Sequence, residues 1–120
     1  MTYHNIYMNT DLNKIKNVSI ILCIECPDNK YRILVGKLKK KNLWTAPGGI
    51  VEDSEKGTDI GLFNAVCREF KEETWYDLTK IKMCYDEYFI FDRIHRNGSI
   101  TRIYMNCANI DQFKFHYSAV

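Results

Sequence analysis

Two stretches rich in isoleucine, leucine and valine lie in the first third of the chain, at residues 17–26 (NVSIILCIEC) and 31–38 (YRILVGKL). Their composition and alternating character are typical of β-strands, and the PDNK between them favours a tight turn. The pattern therefore predicts a β-hairpin.

Residues 43–46 (LWTA) are predicted as a short strand that Pro47 ends. The Gly48-Gly49 pair then marks a turn, where backbone can adopt positive φ or approach a ligand closely.

The hydrophobic period changes from that of a strand to that of a helix after this glycine pair. Leu62, Val66 and Phe70 recur at helical spacing and give the segment one apolar face. The pattern predicts a helix over residues 58–74, with Thr58 as its N-cap.

Strand character returns in the last third of the chain, at residues 81–91 and 99–108. The Asn97-Gly98 pair between them predicts a tight hairpin turn, and a last short strand is predicted at residues 113–117. Two hairpins that flank one helix indicate an α+β fold or a mixed α/β layer, rather than a doubly wound parallel sheet.

Length and composition narrow the class of protein further. A chain of 120 residues has room for one domain. No apolar run approaches the roughly 20 residues that span a bilayer, and the first residues lack a signal core, so we expect a cytoplasmic protein with no membrane partner. A net charge of +2 does not indicate a general nucleic-acid binder.

Two local features have simple structural interpretations. The basic run KLKKKN at residues 37–42 is interpreted first as a solvated loop. Cys23 and Cys26 form a CxxC motif, but within an alternating strand their thiols would face opposite sides, and no second CxxC completes a metal site. We therefore predict reduced, buried strand cysteines.

Three carboxylates are crowded near the end of the predicted helix. Glu69, Glu72 and Glu73 stand at positions i, i+3 and i+4, where side chains share one helix face. Like charges at this spacing repel, and the C-terminal end of the helix dipole also disfavours them. A solvated face is one explanation. The other is a hard cation such as Mg²⁺ or Mn²⁺, which oxygen ligands bind well.

The spacing of the surrounding residues resembles the Nudix hydrolase family. Its box reads G-x5-E-x7-R-E-U-x-E-E-x-G-U, where U is a bulky aliphatic residue. This chain has Gly49, then Glu55 after five residues, and then REFKEE at residues 68–73. The upstream LWTAPGGIVE and the later strand pair are also similar to the family, so the likeness covers residues 17–108.

The resemblance implies a single Nudix domain over residues 1–120, with an N-terminal extension at 1–16 and the box at 48–76. The expected fold is an α+β fold, an α/β/α-type Nudix sandwich, in which the loop-helix-loop packs on a mixed sheet. The C-terminal helix of the family is expected to be missing or short, because the chain ends at FKFHYSAV.

The box departs from the family pattern at two places. Twelve residues instead of seven separate Glu55 from Arg68, so about five extra residues enlarge the loop or lengthen the first helical turn. Trp75 stands where the family has a glycine. Because that glycine normally adopts the left-handed conformation, which disfavours other residues, we expect the helix to end differently here.

The resemblance also assigns roles to individual residues. Glu72 and Glu73 match the metal-binding glutamates, and Glu69 matches a residue that acts as base or further metal ligand. Arg68, which is grouped with Glu69 as a catalytic candidate, matches an arginine that pairs with loop carboxylates, with Glu55 as its partner. The backbone carbonyl of Gly49 is a further metal ligand, and Glu52 is a structural or supporting acid.

Other candidates lie outside the box and are less specific. Asp86, Glu87 and Asp111 are candidates for a fourth acidic metal ligand, of which Asp111 is selected. Lys37, Lys39 and Trp44 are candidates for substrate binding. Three more aromatic residues could stack on a base but are more typical of a core: Tyr85, Tyr88 and Phe89. Two histidines, His95 and His116, are expected at the surface.

The function implied by the resemblance is Mg²⁺- or Mn²⁺-dependent hydrolysis of a nucleoside diphosphate linked to another group X, which gives a nucleoside monophosphate and phospho-X. Two alternatives remain open. The same chemistry could act on capped RNA, or the chain could be a non-enzymatic module that binds nucleotide. A homodimer is also compatible with the sequence.

Overall fold

The structure is a computed structural model, which describes residues 10–38, 43–80 and 88–109. In this part of the chain there are seven strands and one α-helix, with bounds as follows: β1 Ile15–Glu25, β2 Tyr31–Ile33, β3 Gly36–Leu38, β4 Leu43–Thr45, β5 Gly48–Ile50, α1 Asp59–Thr74, β6 Phe89–Ile94 and β7 Ile100–Asn109. Short 3-10 helices occur at Leu12–Lys14, Asp53–Glu55 and Leu78–Lys80.

The main sheet is mixed and has the order β2-β1-β7-β6, with β5 also paired to β1. Its two long central strands, β1 and β7, run parallel, while β2, β5 and β6 pair antiparallel with their neighbours. Strands β3 and β4 form a separate two-stranded antiparallel sheet. The predicted α+β fold with a mixed sheet is confirmed.

The first predicted hairpin is present, but its second strand is divided. Glu25 pairs with Tyr31 across the turn, in which Asn29 has a positive φ of 62°. The N–H of Leu34 still donates to the carbonyl of Leu22 at 3.0 Å. The chain then leaves the main sheet, and β3 pairs with β4. A single strand over residues 31–38 was therefore a wrong prediction, because hydrophobic alternation does not show where a strand changes its partner.

The second predicted hairpin joins β6 to β7. The N–H of His95 donates to the carbonyl of Ser99 at 2.8 Å, and Gly98 supplies the positive φ of 85° that the turn requires. The predicted hairpin is confirmed for residues 88–109. Residues 81–87 of the strand predicted at 81–91 lie outside the described residues. The same is true of the predicted strand at 113–117 and of the chain end where the family has its C-terminal helix.

The core lies between α1 and one face of the main sheet. Alternate residues of β1 face α1, whose apolar stripe appears at the predicted helical spacing. Three aromatic rings extend this layer in edge-to-face contacts, with centroids 5.6–6.2 Å apart. The central contributors are Val18, Ile20, Leu22, Leu62, Val66 and Phe70, with the rings of Phe63, Tyr88 and Tyr104.

Helix α1 begins and ends at the predicted residues, but the conformation at its C-terminal end differs from the prediction. Thr58 Oγ1 accepts the N–H of Gly61 at 3.0 Å, as an N-cap should. At the other end Trp75 adopts the left-handed conformation, with φ 71°, and its N–H donates to the Lys71 carbonyl. The expectation that tryptophan would prevent this helix end was wrong. The side chain is 81% exposed, so no packing opposes the conformation.

The glycine pair and the cysteines also correct the sequence interpretation. Gly48 and Gly49 belong to strand β5 rather than to a turn, and positive φ occurs among the described glycines only at Gly57 and Gly98. Cys23 and Cys26 are free thiols that are partly exposed, so their predicted burial was wrong. Across the described ranges, no helix combines the length and apolarity needed to cross a bilayer.

Candidate active site

The helix carboxylates meet strand β5 at the last turns of α1. If Gly49 carried a Cβ, that atom would lie 2.3–2.4 Å from the Glu69 carboxylate atoms, so the carboxylate rests directly on the glycine backbone. The N–H of Gly48 donates to Glu73 Oε1 at 3.3 Å. The glycine pair therefore provides room for one glutamate and a hydrogen bond for the other. This is the close approach that glycine permits.

The electrostatics of the site favour a positive charge. Burial raises the pKa of Glu73 above its ordinary value, and the neighbouring Glu69 and Glu72 raise it further. Both effects make the charged carboxylate unfavourable in the absence of a cation. The direction of this shift agrees with the repulsion expected from the i, i+3, i+4 spacing.

Arg68 is the centre of the ion pairs beside these carboxylates. Its guanidinium donates to both oxygens of Glu55 at 3.0 Å, and Nη1 donates to Glu69 Oε1 at 3.0 Å and to Glu72 Oε1 at 3.4 Å. Nη2 also donates to the carbonyl of Ile50, at the end of β5, at 3.0 Å. Arg68 thus holds the loop, the strand and the helix carboxylates in one arrangement.

The loop before α1 presents Glu55 to this arginine. Glu55 is buried, and hydrogen bonding by Arg68 holds the pKa of its carboxyl below the usual range. Its Oε1 also accepts the N–H of Glu52 at 2.9 Å, which closes the 3-10 helix. Glu52 is more exposed, and its carboxylate lies 3.6 Å from Arg68 Nη1.

The extra residues between Glu55 and Arg68 do not separate this pair. Gly57 turns the chain with φ 85°, and α1 then begins directly against the loop. A Cβ on Gly61 would lie 2.4 Å from the Glu55 carbonyl oxygen, so the first helical turn packs on the main chain of Glu55. The insertion is accommodated between the loop and the start of the helix.

The residues of this site suit a hard divalent cation in their chemistry. Glu69 and Glu73 offer carboxylate oxygens at one place, and burial and the neighbouring carboxylates raise the pKa of Glu73. Among the described residues, however, no three acidic, histidine or cysteine side chains already converge as a metal site. The donor set fits Mg²⁺ or Mn²⁺ in kind, with Glu72 further out and paired to Arg68.

A shallow cavity opens beside the carboxylates. It has a volume of about 380 Å³ and is lined by Arg68, Lys71, Glu72 and the exposed Trp75. On the other side of the site, Gly36 of β3 approaches Glu73, with a virtual Cβ 3.4 Å from Glu73 Oε2. Strand β3 therefore lies next to the site.

Some of the remaining candidate residues lie in the part of the chain that the structure describes, and others lie outside it. Trp44 is 66% exposed, and the backbone of Lys37 pairs with it across β3 and β4. Tyr88 belongs to the core and cannot stack on a ligand. Phe89 faces the opposite side of the sheet, and His95 lies 2.7 Å from Thr101 Oγ1 in the β6–β7 hairpin. Six candidates lie outside the described residues: Lys39, Tyr85, Asp86, Glu87, Asp111 and His116.

Sequence reasoning missed two backbone contributions to the site. The Ile50 carbonyl accepts from Arg68, and a carbonyl leaves no trace in a sequence pattern. Gly36 was absorbed into a predicted strand, although an isolated glycine in a strand often marks a close approach. That signal could have identified β3 as a neighbour of Glu73.

Two solved structures share this arrangement of elements. A crystal structure of C. elegans Ap4A hydrolase, a Nudix enzyme, superposes with a TM-score of 0.56 at 19% identity, over 79% of this chain and 68% of that chain. A crystal structure of a binary complex of a C. elegans Ap4A hydrolase gives a TM-score of 0.58 at 19% identity, over 78% of this chain and 66% of that chain. This chain has the Nudix fold. No family model matches its sequence, and no curated protein matches it either.

The Nudix fold agrees with the resemblance that the sequence suggested. The box of residues 48–76 occupies β5, the following loop and α1, which pack on the mixed sheet. At this low identity the likeness establishes the fold, and the activity must be argued from the site itself.

Proposed function

We propose that this chain is a Mg²⁺- or Mn²⁺-dependent hydrolase that cleaves the diphosphate linkage of a nucleoside diphosphate derivative. One observation carries the proposal: Glu69 and Glu73 are crowded together against the Gly48-Gly49 backbone, in a Nudix fold. Crowded carboxylates at a helix end are unfavourable on their own. A divalent cation would neutralise them and would also bind the phosphate groups of a substrate.

Glu69 and Glu73 would hold the cation, with Glu72 and the Gly49 backbone as further candidate ligands. When bound, such an ion neutralises phosphate oxygens and lowers the pKa of water. Arg68 fixes Glu69 by bonding to Oε1 and anchors itself on Glu55. Glu69 is therefore a positioned carboxylate, which could accept the proton of the attacking water.

The substrate class is a proposal that rests on the fold and on the space near the site. Dinucleoside polyphosphates are the first compounds to test, because both structural neighbours are Ap4A hydrolases. Capped RNA remains the alternative substrate. A non-enzymatic nucleotide-binding module is less well supported, because the box carboxylates are retained and gathered at one place.

The experiment is a hydrolysis panel with Mg²⁺ and Mn²⁺. It includes nucleoside triphosphates, ADP-ribose, dinucleoside polyphosphates and capped RNA, with products separated by chromatography. Glu72→Gln and Glu73→Gln are compared with Glu25→Gln, an exposed glutamate at the end of β1. We expect both site variants to lose turnover by at least about 100-fold, while Glu25→Gln is unchanged.

Each result separates the candidate functions. Near-full activity in either site variant would overturn the metal assignment. Turnover of capped RNA alone, with binding that weakens steeply with salt, would support decapping instead. If no compound is hydrolysed but nucleotides bind, the chain is a binding module.

A further inference from the structure

Two cysteines from distant parts of the sequence are direct neighbours on the sheet. Cys23 of β1 and Cys107 of β7 are register partners in the parallel pair of central strands. Paired residues of neighbouring strands project to the same face. In this case it is the face opposite α1, because the residues next to them, Leu22 and Ala108, are buried in the core.

The thiols line a surface cavity of about 290 Å³. Its other lining residues are Ile21, Phe89, Met105 and Asn106. Cys107 is exposed and Cys23 is partly exposed, so a small reagent can reach both sulfurs. The two cysteines therefore form an accessible dithiol at an otherwise apolar place.

Strand geometry permits a bond between these two sulfurs. Adjacent strands lie about 4.7–4.9 Å apart, and disulfides need Cα atoms about 4.4–6.8 Å apart. The Cα spacing of a register pair in a sheet falls within this range. Such a bond would be exposed, which is typical of a disulfide that reductants can open.

We propose that Cys23 and Cys107 are a modification site, at which hydrogen peroxide forms a reversible disulfide between β1 and β7. Peroxide first converts the Cys107 thiolate to a sulfenic acid and is reduced to hydroxide. The Cys23 thiolate then attacks the Cys107 sulfur, the S–O bond breaks, and the hydroxyl leaves as water. In total, two thiols lose two hydrogen atoms and one peroxide becomes two waters.

The order of these steps follows from the environment of each thiol. Cys107 is the more exposed sulfur and meets the oxidant first. Burial raises the pKa of Cys23, and the neighbouring Cys107 raises it further. Cys23 is therefore the resolving thiol, which reacts second.

The other described cysteines are poorer partners. Cys26 lies beyond the end of β1, and its Sγ donates to the Ile24 carbonyl at 3.7 Å. Cys67 lies on α1, where burial raises its pKa to about 11, so it carries little thiolate near neutral pH. Neither is a register partner of Cys23 or Cys107.

The test treats the full chain with a few equivalents of peroxide and maps the products by non-reducing digestion and mass spectrometry. We expect a loss of about 2 Da, which dithiothreitol reverses, and a peptide that links Cys23 to Cys107. Cys23→Ser and Cys107→Ser should lose the linked peptide, whereas Cys26→Ser should retain it. The oxidised chain should melt at least about 5 °C higher than the reduced chain, because the bond closes a long loop.

Two results would overturn the proposal: a wild-type chain whose Cys23 and Cys107 both remain alkylatable after peroxide, or a bond that maps to another cysteine pair. The proposal does not depend on the hydrolase activity. Cys23 lies four residues beyond Ser19, the partner of Gly48, which is roughly 13 Å along the strand.

Discussion

At the scale of single residues, two adjacent glycines have different neighbours. A Cβ on Gly48 would lie 2.3 Å from the Val18 carbonyl oxygen, which belongs to the backbone of the central strand. A Cβ on Gly49 would instead meet the Glu69 carboxylate, the end of a flexible side chain. A backbone atom in a sheet can move only at a high energy cost, whereas a carboxylate can rotate to another position. The same substitution should therefore have different consequences at the two positions.

We predict that Gly48→Ala lowers the free energy of unfolding by about 1–3 kcal/mol, since overpacking here must distort β1 and β5. Gly49→Ala should cost less than about 1 kcal/mol but displace Glu69, and turnover should fall at least about tenfold. Urea unfolding and turnover of the best panel substrate would measure the two effects. Equal stability loss in both variants, or full activity of a folded Gly49→Ala, would contradict this assignment.

The Glu55–Arg68 pair gives a pH-dependent prediction at the same scale. The folded-state pKa of Glu55 lies below its ordinary value of 4.5. Its contribution to stability is therefore complete above that value and is lost as pH falls through the lowered pKa. Hydrogen bonds to charged groups suggest a contribution of about 1.5–3 kcal/mol.

Glu55→Gln should accordingly reduce stability at neutral pH, and the difference from wild type should shrink as pH falls below the ordinary value. Unfolding in urea at several pH values between about 3 and 7 would measure it. The exposed Glu25→Gln should show no comparable trend. A constant difference across the range would mean that the charge of Glu55 is not what stabilises the loop.

At the scale of elements, the helix and both hairpins followed from local residues. Leu62, Val66 and Phe70 determine the apolar face of α1, and Asn97-Gly98 determines the second turn. The end of α1 did not follow, because tryptophan disfavours the left-handed conformation. Here the next residues pack instead: Tyr76 contacts the core and Leu78 is buried within it. Packing after the helix therefore outweighs the local preference of Trp75.

This explanation predicts that Trp75 is a strained position. Trp75→Gly should stabilise the chain relative to Trp75→Ala by about 1 kcal/mol, because glycine adopts positive φ without steric cost. Both variants lack the tryptophan side chain, so the comparison measures only the effect of a Cβ at this position. Thermal or urea unfolding would measure the difference. A more stable alanine variant would show that the left-handed conformation does not cost energy here.

At the scale of the molecule, the sequence predicted a mixed sheet but not which strands pair in parallel. Strands β1 and β7 lie at opposite ends of the described chain, and no local pattern reports a contact over such a distance. The candidate carboxylates could be proposed from the sequence because REFKEE lies within one helix, where the spacing determines which side chains share a face. The completion of the site by Gly36 and the Ile50 carbonyl depends on tertiary packing and was not predictable.

A buried ion network links these distant elements. Arg102 of β7 is fully buried, and its guanidinium donates to both oxygens of Asp92 on β6 at 2.8 and 3.0 Å. Nη1 also donates to Asp59 Oδ1, in the first turn of α1, at 2.7 Å. Sequence analysis attached no role to Arg102, since a charged residue in a strand is ordinarily exposed. The network holds the start of the helix to the β6–β7 hairpin.

Removing the Asp92 charge alone should be far more costly than removing the charges of Asp92 and Arg102 together. The Asp92 carboxylate is only 3% exposed, so Asp92→Asn leaves Arg102 buried with reduced compensation and should cost about 3–5 kcal/mol. Asp59 is 47% exposed, and Asp59→Asn should cost about 1 kcal/mol or less. The double variant Arg102→Met, Asp92→Leu should recover most of the loss, because an apolar pair carries no desolvation penalty. Urea unfolding of the four proteins would decide this. If the double variant were as unstable as Asp92→Asn, the network would stabilise the fold through its hydrogen bonds, and the burial of charge would not explain the cost.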